Sequence, residues 1–384
     1  MAGFTFQTSP TLIVENGATA RIGAMMADKG CTRVALITDA GVRAAGLTEA
    51  AEAGIAEAGL DAILWDDVAP DPPEEKVLAA VDACRAAGVD GVAAVGGGSP
   101  MDTAKLVALL LGSGQPLRDC YGVGKVSGGR LPLVLAPTTA GTGSEVTPIA
   151  IVTTGQAEKK GVVAPALLPD AAILDAGLTR GLPAAVTAAT GIDAMVHAIE
   201  AHTSRHRKNP LSDCLAREAL GRLGANIERA CLEPDDLDAR SEMLLGSTLA
   251  GMAFANAPVA AVHALAYPLG GHFHVPHGLS NALVLPHVLA YNRQSAEGLY
   301  ARIAPLIFPE QAANDNEMRV TGLIDGLAAL GPRLGLPGRL REVGVGRDHL
   351  EMLADDAMKQ ERLLVNNPRE MTREAALAIY EAAF

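Results

Sequence analysis

Four side chains in the second half of the sequence have the chemistry of a metal centre. Asp193 and His197 lie four residues apart in the segment GIDAMVHAIE, so on a helix they share one face. His263 belongs to an apolar, helix-like run, and His277 stands in a Pro-His-Gly turn that would begin another helix. Three imidazoles and one carboxylate suit Fe²⁺ or Zn²⁺, whereas Mg²⁺ and Ca²⁺ prefer oxygen ligands. Each histidine could instead be a hydrogen-bonded core residue.

A glycine-rich segment in the first half, GGGSPMDTAK at residues 96–105, follows a strand-like run and opens a helix-like one. We expect its glycines to let the backbone approach a ligand and to adopt dihedrals closed to other residues. We expect Ser99 to cap the helix and Pro100 to occupy its first position. Free amides at such a helix start can bind a pyrophosphate. The segment is neither GxGxxG nor a P-loop, so a plain tight turn is the alternative.

Two more polar features follow strand-like runs. Asp39 comes directly after the run VALIT, and a carboxylate there can bind an adenosine ribose and repel a 2′-phosphate. This position favours NAD over NADP, although Asp39 could simply start the next turn. The loop TTAGTGSE at residues 138–145 follows the run LVLAP, and its hydroxyls and amides either contact the cofactor or bond to one another.

The elements that must position these groups differ between the two halves of the chain. In the first half, short apolar runs alternate with helical stretches such as residues 74–87, which predicts βαβ units and a parallel sheet covered on both faces. The predicted strands span residues 34–38, 62–65, 91–95, 133–137, 149–153 and 171–174. After Pro183 the pattern is helical, with breaks at Gly331-Pro332 and at residues 336–338. We therefore predict an α/β domain over residues 1–182 and an all-helical domain over residues 183–384.

Composition narrows the classes of function. A chain of 384 residues, 49% of them hydrophobic, is expected to fold as two domains. Its net charge of −13 disfavours a nucleic-acid partner. The five cysteines are unclustered, which is typical of free thiols in a reducing compartment. Since we find no signal-peptide pattern and no apolar run of about 20 residues, we expect a cytoplasmic protein without a membrane partner.

Four motifs, taken in order along the chain, resemble those of the iron-containing (group III) alcohol dehydrogenases: GGGSPMDTAK, APTTAGTGSEVT, GIDAMVHAIEAHTS and VHALAYPLGGHFHVPHG. The resemblance implies an α/β N-terminal Rossmann-like domain plus an all-α C-terminal domain, the dehydroquinate synthase-like architecture. It implies that Asp193, His197, His263 and His277 bind the metal, and that the chain forms a homodimer. It also implies contacts to NAD from Asp39, Gly97, Gly98, Ser99, Asp102, Thr138, Thr139 and Lys160.

One position departs from the family pattern. Many members have a second histidine four residues after the one that corresponds to His263, and this chain has Tyr267 there. A phenol, with an ordinary pKa of about 10, is a poorer base than imidazole. We expect Tyr267 or His274 to relay the substrate proton, with His272 or solvent as alternatives.

The expected function is that of a metal-dependent alcohol dehydrogenase. Hydride would pass between a metal-bound primary alcohol or aldehyde and NAD(H), with Fe²⁺ as the metal and Zn²⁺ as the alternative. Other readings are a zinc-dependent polyol dehydrogenase of the glycerol type, a dehydroquinate-synthase-like lyase, a metal-dependent hydrolase and an NAD-sensing module. The HEXXH spacing of zinc proteases does not occur in the sequence, which disfavours the hydrolase.

Overall fold

The protein, described by a computed structural model over residues 3–155 and 158–384, divides into two compact units. One unit is Gln7–Arg180, and the other combines residues 3–6 with Gly181–Phe384. Among the described residues, every strand lies in the first unit and the second is built of helices. This arrangement confirms the predicted fold class.

Nine strands form two sheets in the described part of the first unit. They are β1 (Leu12–Val14), β2 (Arg33–Ile37), β3 (Asp61–Trp65), β4 (Gly91–Gly96), β5 (Gly122–Val123), β6 (Leu133–Pro137), β7 (Ile149–Thr154), β8 (Glu158–Val163) and β9 (Ala171–Leu174). Six make a fully parallel sheet in the order β1-β9-β6-β4-β2-β3. The other three make a small sheet in the order β5-β8-β7, in which β7 and β8 are antiparallel.

Helices cover both faces of the parallel sheet. They are α1 (Ile22–Asp28), α2 (Ala40–Ala44), α3 (Glu49–Glu57), α4 (Glu74–Ala86) and α5 (Gly98–Ser113). Val34 and Leu36 of β2 belong to a core shared with α1 and α3, whereas Ala35 and Ile37 belong to a core shared with α4 and α5. Because successive strand residues point to opposite faces, a sheet covered twice buries continuous apolar runs. The six predicted strands accordingly match observed ones to within one residue at each end.

Three observed strands were not among the predicted ones. β1 and β5 contain three and two residues, too few for a periodic pattern. β8 has the sequence EKKGVV, whose charged first half does not favour a strand. It forms because all six of its residues pair with β7. These strands therefore depend on their neighbours rather than on local sequence.

Nine helices are found in the described part of the second unit. They are α6 (Ala184–Thr203), α7 (Pro210–Leu232), α8 (Leu237–Asn256), α9 (Ala261–Phe273), α10 (His277–Ile307), α11 (Asn316–Arg333), α12 (Leu350–Met358), α13 (Glu361–Leu364) and α14 (Arg373–Ala383). α6 packs against α7, α8 and α10 and is the central helix of the unit. α11 runs through the predicted break at Gly331-Pro332 and ends at Arg333. Over the described residues no single helix is long and apolar enough to cross a membrane; α8 and α9 reach that threshold only as a pair, bent by 106°.

Candidate metal centre and nucleotide-binding edge

α6 carries two polar side chains into the interior of the helical unit. Asp193 and His197 are one helical turn apart and only 2% and 5% exposed. The helix can be buried on nearly all sides because its residues are small. At Gly191, for example, a Cβ atom would lie 2.7 Å from Met243 Cε and 2.9 Å from Ile227 Cδ1. Close packing of α7 and α8 therefore fixes the face of α6 that holds the two polar groups.

Two further histidines reach Asp193 from α9 and α10. The Nε2 atom of His263 lies 3.9 Å from Asp193 Oδ1, and the Nε2 atom of His277 lies 3.7 Å from it. One potential ligand atom from each of these three residues lies within 4.8 Å of the other two. Asp193 and His263 are buried, while the side chain of His277 is 40% exposed. The three atoms thus converge on one place that is closed on the Asp193 and His263 side and open beside His277.

His197 lies against this group through its ring. Its imidazole stacks on that of His263 with 4.7 Å between centroids, and on the ring of Phe254 with 4.3 Å. Burial raises the pKa of Asp193, but the neighbouring His197, His277 and His263 bring that pKa below its ordinary value. The ligand atoms of three of the four predicted metal ligands therefore converge, and the fourth, His197, adjoins them by ring stacking.

Two residues for which the sequence predicted no role, Glu200 and Asn281, also contact the clustered side chains. The Oε1 atom of Glu200 accepts a hydrogen bond from the Val262 backbone N–H at 2.7 Å, and Oε2 lies 2.7 Å from His263 Nδ1. Asn281 donates from Nδ2 to Asp193 Oδ1 at 2.6 Å. The helical spacing offered a signal for both residues. Glu200 follows Asp193 by seven positions, so the two share a face of α6. Asn281 follows His277 by four positions, so these two share a face of α10.

The three converging ligand atoms, one carboxylate oxygen and two imidazole nitrogens, suit a divalent cation. The Asn281 amide nitrogen faces Asp193 Oδ1 and also lies 3.2 and 3.4 Å from the Nε2 atoms of His277 and His263. The same side chain's Oδ1 atom is buried without a hydrogen-bond partner. Three acceptor atoms that converge in a mostly buried place must be satisfied by a donor or by a cation. A carboxylate with imidazoles is the ligand chemistry of Fe²⁺ and Zn²⁺.

The residues predicted to relay a proton lie on and just after α9. The ring of Tyr267 is 5.9 Å from that of His277, so the phenol lies at the edge of the cluster. His274 follows the end of α9 in a left-handed conformation, with φ of 54°, and is exposed. His272 is paired with Asp356 of α12, with 2.5 Å between Nε2 and Oδ2. Of these three side chains, Tyr267 therefore lies beside a predicted metal ligand, His277.

Most of the predicted cofactor residues lie at one edge of the parallel sheet. Thr38 Oγ1 donates to the Val95 carbonyl at 2.8 Å, and the Thr138 N–H donates to the Gly96 carbonyl at 3.0 Å. The carboxyl ends of β2, β4 and β6 are therefore adjacent, which is where ligands bind in such sheets. Asp39 lies at this edge as the N-cap of α2, and its Oδ1 accepts from Val42 N–H at 2.9 Å.

The glycine-rich turn differs in detail from the prediction. α5 begins at Gly98, with Gly97 as its N-cap, so the expected capping role of Ser99 is wrong. The Ser99 hydroxyl instead accepts a hydrogen bond from the Asp71 N–H at 3.2 Å. Pro100 is the third helical residue rather than the first. It still lies in the first turn, where a backbone amide has no partner within the helix.

Close packing, rather than unusual dihedrals, accounts for the glycines in this turn. Residues 96–98 do not have a positive φ, contrary to our expectation. A Cβ atom at Gly96 would lie 2.6 Å from two ring carbons of Pro100, and one at Gly98 would lie 2.9 Å from Thr142 Cγ2. Because Gly96 and Gly98 have no side chain, β4, the start of α5 and the loop after β6 can approach one another.

A buried ionic network lies behind this turn. The Asp102 carboxylate accepts from Ser144 Oγ at 2.6 Å and from the Ile151 N–H at 2.9 Å. Lys105 is completely buried, with Nζ 3.7 Å from Asp102 Oδ1. Burial lowers the pKa of Lys105 to about 8, although the neighbouring Asp102 and Glu145 oppose that shift. Both oxygens of Asp102 are thus engaged in holding α5, the loop and β7 together.

The two remaining predicted cofactor residues flank the turn and the small sheet. Thr139 has its hydroxyl 3.5 Å from the place that a Cβ atom at Gly97 would occupy, so it lies directly over the turn. Lys160 of β8 pairs with Glu158 at 3.3 Å, and its Nζ atom is 5.7 Å from the ring centroid of Tyr121.

Comparison with known proteins assigns the chain to a family. The family described as iron-containing alcohol dehydrogenase matches residues 9–176, and the C-terminal part of the Fe-containing alcohol dehydrogenase family matches residues 187–384. The chain belongs to the iron-containing alcohol dehydrogenase family. Together the two matches include every residue predicted to bind the metal or the cofactor, so the family predicted from the four motifs is confirmed.

Individual relatives agree with this assignment. The long-chain-alcohol dehydrogenase 1 of Geobacillus thermodenitrificans is 39% identical, over 92% of this chain and 90% of its own length. The NAD-dependent methanol dehydrogenase of Bacillus methanolicus is 32% identical, over 96% of each chain. A crystal structure of a 1,3-propanediol oxidoreductase superposes over 100% of both chains, with a TM-score of 0.96 and 32% identity. The predicted enzyme class, an alcohol dehydrogenase, is confirmed, and the hydrolase and polyol alternatives are not favoured.

Proposed function

We propose that this enzyme oxidises a primary alcohol with NAD⁺, or reduces the aldehyde with NADH, at an iron centre. Asp193, His197, His263 and His277 would hold Fe²⁺, with Zn²⁺ as the alternative metal. The observation that carries the proposal is the convergence of Asp193, His263 and His277, whose ligand atoms lie within 4.8 Å of one another. The names of the relatives supply the class of substrate and the use of NAD.

The residues of the cluster define where the substrate must react. When bound, the cation supplies Lewis acidity, which favours loss of an alcohol proton and polarises a carbonyl group. Asp193 and His263 are buried, so they exclude water from one side of the centre. The exposed ring of His277 and the half-buried ring of Tyr267 leave the other side for the alcohol or aldehyde.

The α/β unit would bind the dinucleotide at the edge described above. The amides of Gly98 and Ser99 start α5, where the dipole of a 16-residue helix favours the pyrophosphate. Gly97, Thr138 and Thr139 would line the same place. Asp39 would accept from the adenosine ribose and repel a 2′-phosphate, which favours NAD over NADP.

The other assignments implied by the family are part of the same proposal. Asp102 would shape the cofactor turn through its bonds to Ser144 and Ile151. Lys160 would contact the cofactor from β8. Tyr267 and His274 would be the groups that accept and release the substrate proton; support for Tyr267 is its position 5.9 Å from the ring of His277.

The proposal is tested by removing one imidazole. Protein purified without oxygen is analysed for iron and zinc and assayed for NADH formation with short alcohols, diols and hydroxy acids. We expect His263→Ala to lose bound metal and turnover together, because His263 offers a buried ligand atom. His206→Ala, which removes an exposed imidazole from the same unit, is the matched control and should keep both. Full metal content and full turnover in His263→Ala would refute the assignment.

We also propose that the enzyme is a homodimer in the cytoplasm. The resemblance to a family in which dimers are common supports the first statement. The second is supported by the cysteines, all five of which are free thiols, a pattern typical of a reducing compartment. Light scattering coupled to gel filtration, together with fractionation of cells, would test the two statements.

A further inference from the structure

Glu200 is a buried carboxylate that uses both oxygens on consecutive residues at the start of α9. Its Oε1 atom accepts from the Val262 N–H, and its Oε2 atom lies 2.7 Å from the Nδ1 atom of His263. Glu200 and His263 are only 4% and 3% exposed. Val262 is the second residue of α9, so its amide has no partner within the helix and depends on Glu200.

These contacts determine which nitrogen of His263 carries the proton. A backbone N–H can only donate, and an ionised carboxylate can only accept. Both oxygens of Glu200 are therefore acceptors, and His263 Nδ1 must be the donor. A neutral imidazole has a single N–H, so the lone pair of His263 is left on Nε2. That atom is the one that faces Asp193, at 3.9 Å.

A second contact supports the same arrangement independently. The amide nitrogen of Asn281 can only donate, and it lies 3.4 Å from His263 Nε2. A proton on Nε2 would oppose this amide, whereas a lone pair accommodates it. The contact with Glu200 on one side of the ring therefore assigns the proton to Nδ1, and the contact with Asn281 on the other side agrees with a free Nε2.

We propose that Glu200 is a positioning residue for the metal centre: it holds the ring of His263 in place and keeps its Nε2 lone pair directed at the cation. This inference rests on the proposed function, because it assumes that the cluster binds a metal. Glu200 also follows Asp193 and His197 along α6 at positions i, i+4 and i+7. One helix thus supplies two predicted ligands and the residue that orients a third.

The Glu200→Gln substitution separates the two functions of the carboxylate. The single amide oxygen of glutamine can accept either from the Val262 N–H or from His263 Nδ1–H, but not from both. If the oxygen takes the backbone amide, the NH₂ group faces Nδ1 and forces the proton of His263 onto Nε2. If the side chain is reversed, two donors face each other at Val262. Either arrangement weakens the centre with almost no change in side-chain volume.

The test measures metal affinity rather than turnover. Metal-free wild type and Glu200→Gln are titrated with Co²⁺ and Zn²⁺ against a competing chelator, and Co²⁺ absorption reports the coordination. We expect Glu200→Gln to bind both metals about 10–100-fold more weakly, the usual effect of losing such an outer partner. Glu297→Gln, an exposed change on α10, should bind as wild type does. Thermal unfolding of the metal-free proteins separates lost affinity from lost folding.

The tautomer can be measured directly, even if Glu200→Gln folds poorly. Burial lowers the pKa of His263 but Glu200 raises it above its ordinary value, so the measurement is made at a pH at which the ring is neutral. In metal-free wild type labelled with ¹⁵N-histidine, His263 should then show a protonated Nδ1 and an unprotonated Nε2. A proton on Nε2 in wild type, or an unchanged metal affinity in folded Glu200→Gln, would overturn the inference. Wild type that oxidises alcohols with NAD⁺ alongside either result would leave the proposed function intact. Wild type that binds no metal would instead refute the proposed function.

Discussion

Replacing Lys105 with methionine should destabilise the α/β unit. The ammonium group of Lys105 is completely buried and donates to Ser144 Oγ at 2.7 Å, Thr147 Oγ1 at 3.2 Å and the Ile149 carbonyl at 2.8 Å. It also lies 3.7 Å from Asp102 Oδ1. Methionine fills much of the same space but removes the charge and all of these donors.

The magnitude follows from what the lysine leaves behind. Removing one partner of a buried ion pair costs about 3–5 kcal/mol, because the other charge stays buried without compensation. Asp102 keeps its bonds to Ser144 and Ile151, and its side chain is 14% exposed, which places the loss at the lower end of that range. We therefore expect a fall of about 3 kcal/mol in the free energy of unfolding. Neutralising both partners, in Asp102→Asn with Lys105→Met, should recover a large part of that loss.

The single tryptophan of the chain makes the assay specific for this unit. Trp65 ends β3, so its fluorescence during urea unfolding reports on the α/β unit. Lys76→Met is the matched control: Lys76 forms an exposed pair with Asp67, and its loss should cost less than about 1 kcal/mol. A Lys105→Met protein as stable as wild type would refute the reasoning. So would a double variant no more stable than the single one.

Two further predictions concern the same lysine and the end of α9. The pKa of Lys105 is about 8 in the folded state, against about 10.4 in an unfolded chain. Between these two pH values the folded protein therefore binds fewer protons than the unfolded chain, so its stability rises with pH. Urea midpoints should show that wild type becomes more stable relative to Lys105→Met from about pH 8 to pH 10. His274 has φ of 54°, so His274→Gly should be about 1 kcal/mol more stable than His274→Ala in thermal unfolding. Equal midpoints for those two variants would show that the backbone there carries no strain, and a flat pH dependence would show that Lys105 keeps its proton.

Most of the fold could be predicted because its strands are buried on both faces. Runs such as LVLAP and AAIL are apolar throughout, and both match observed strands residue for residue. Helix positions were also readable, since α6 and the start of α10 follow from local spacing and a Pro-His-Gly turn. β8 could not be predicted, because EKKGVV becomes a strand through pairing with β7.

The local sequence pattern also led to a wrong prediction of the helix cap in the glycine-rich turn. Ser99 has the residue type of a helix cap, yet Gly97 occupies the N-cap and the Ser99 hydroxyl accepts from Asp71. Asp71 lies 28 residues earlier in the chain, so no local signal could reveal this contact. Position 96 requires glycine because a Cβ atom there would clash with the ring of Pro100.

The ligand chemistry proposed for the candidate metal centre was predicted from residue types and from one helical spacing. A carboxylate and an imidazole four residues apart on α6 must share a helix face, whatever surrounds them. The meeting of that face with His263 and His277 depended on how α6, α9 and α10 pack, because both histidines lie 66 or more positions after His197 in the chain. The same packing placed Glu200 against His263 and Asn281 over Asp193. Residue type and spacing are properties of a short segment, whereas the distance between far-apart side chains is set by the burial of the whole helical unit.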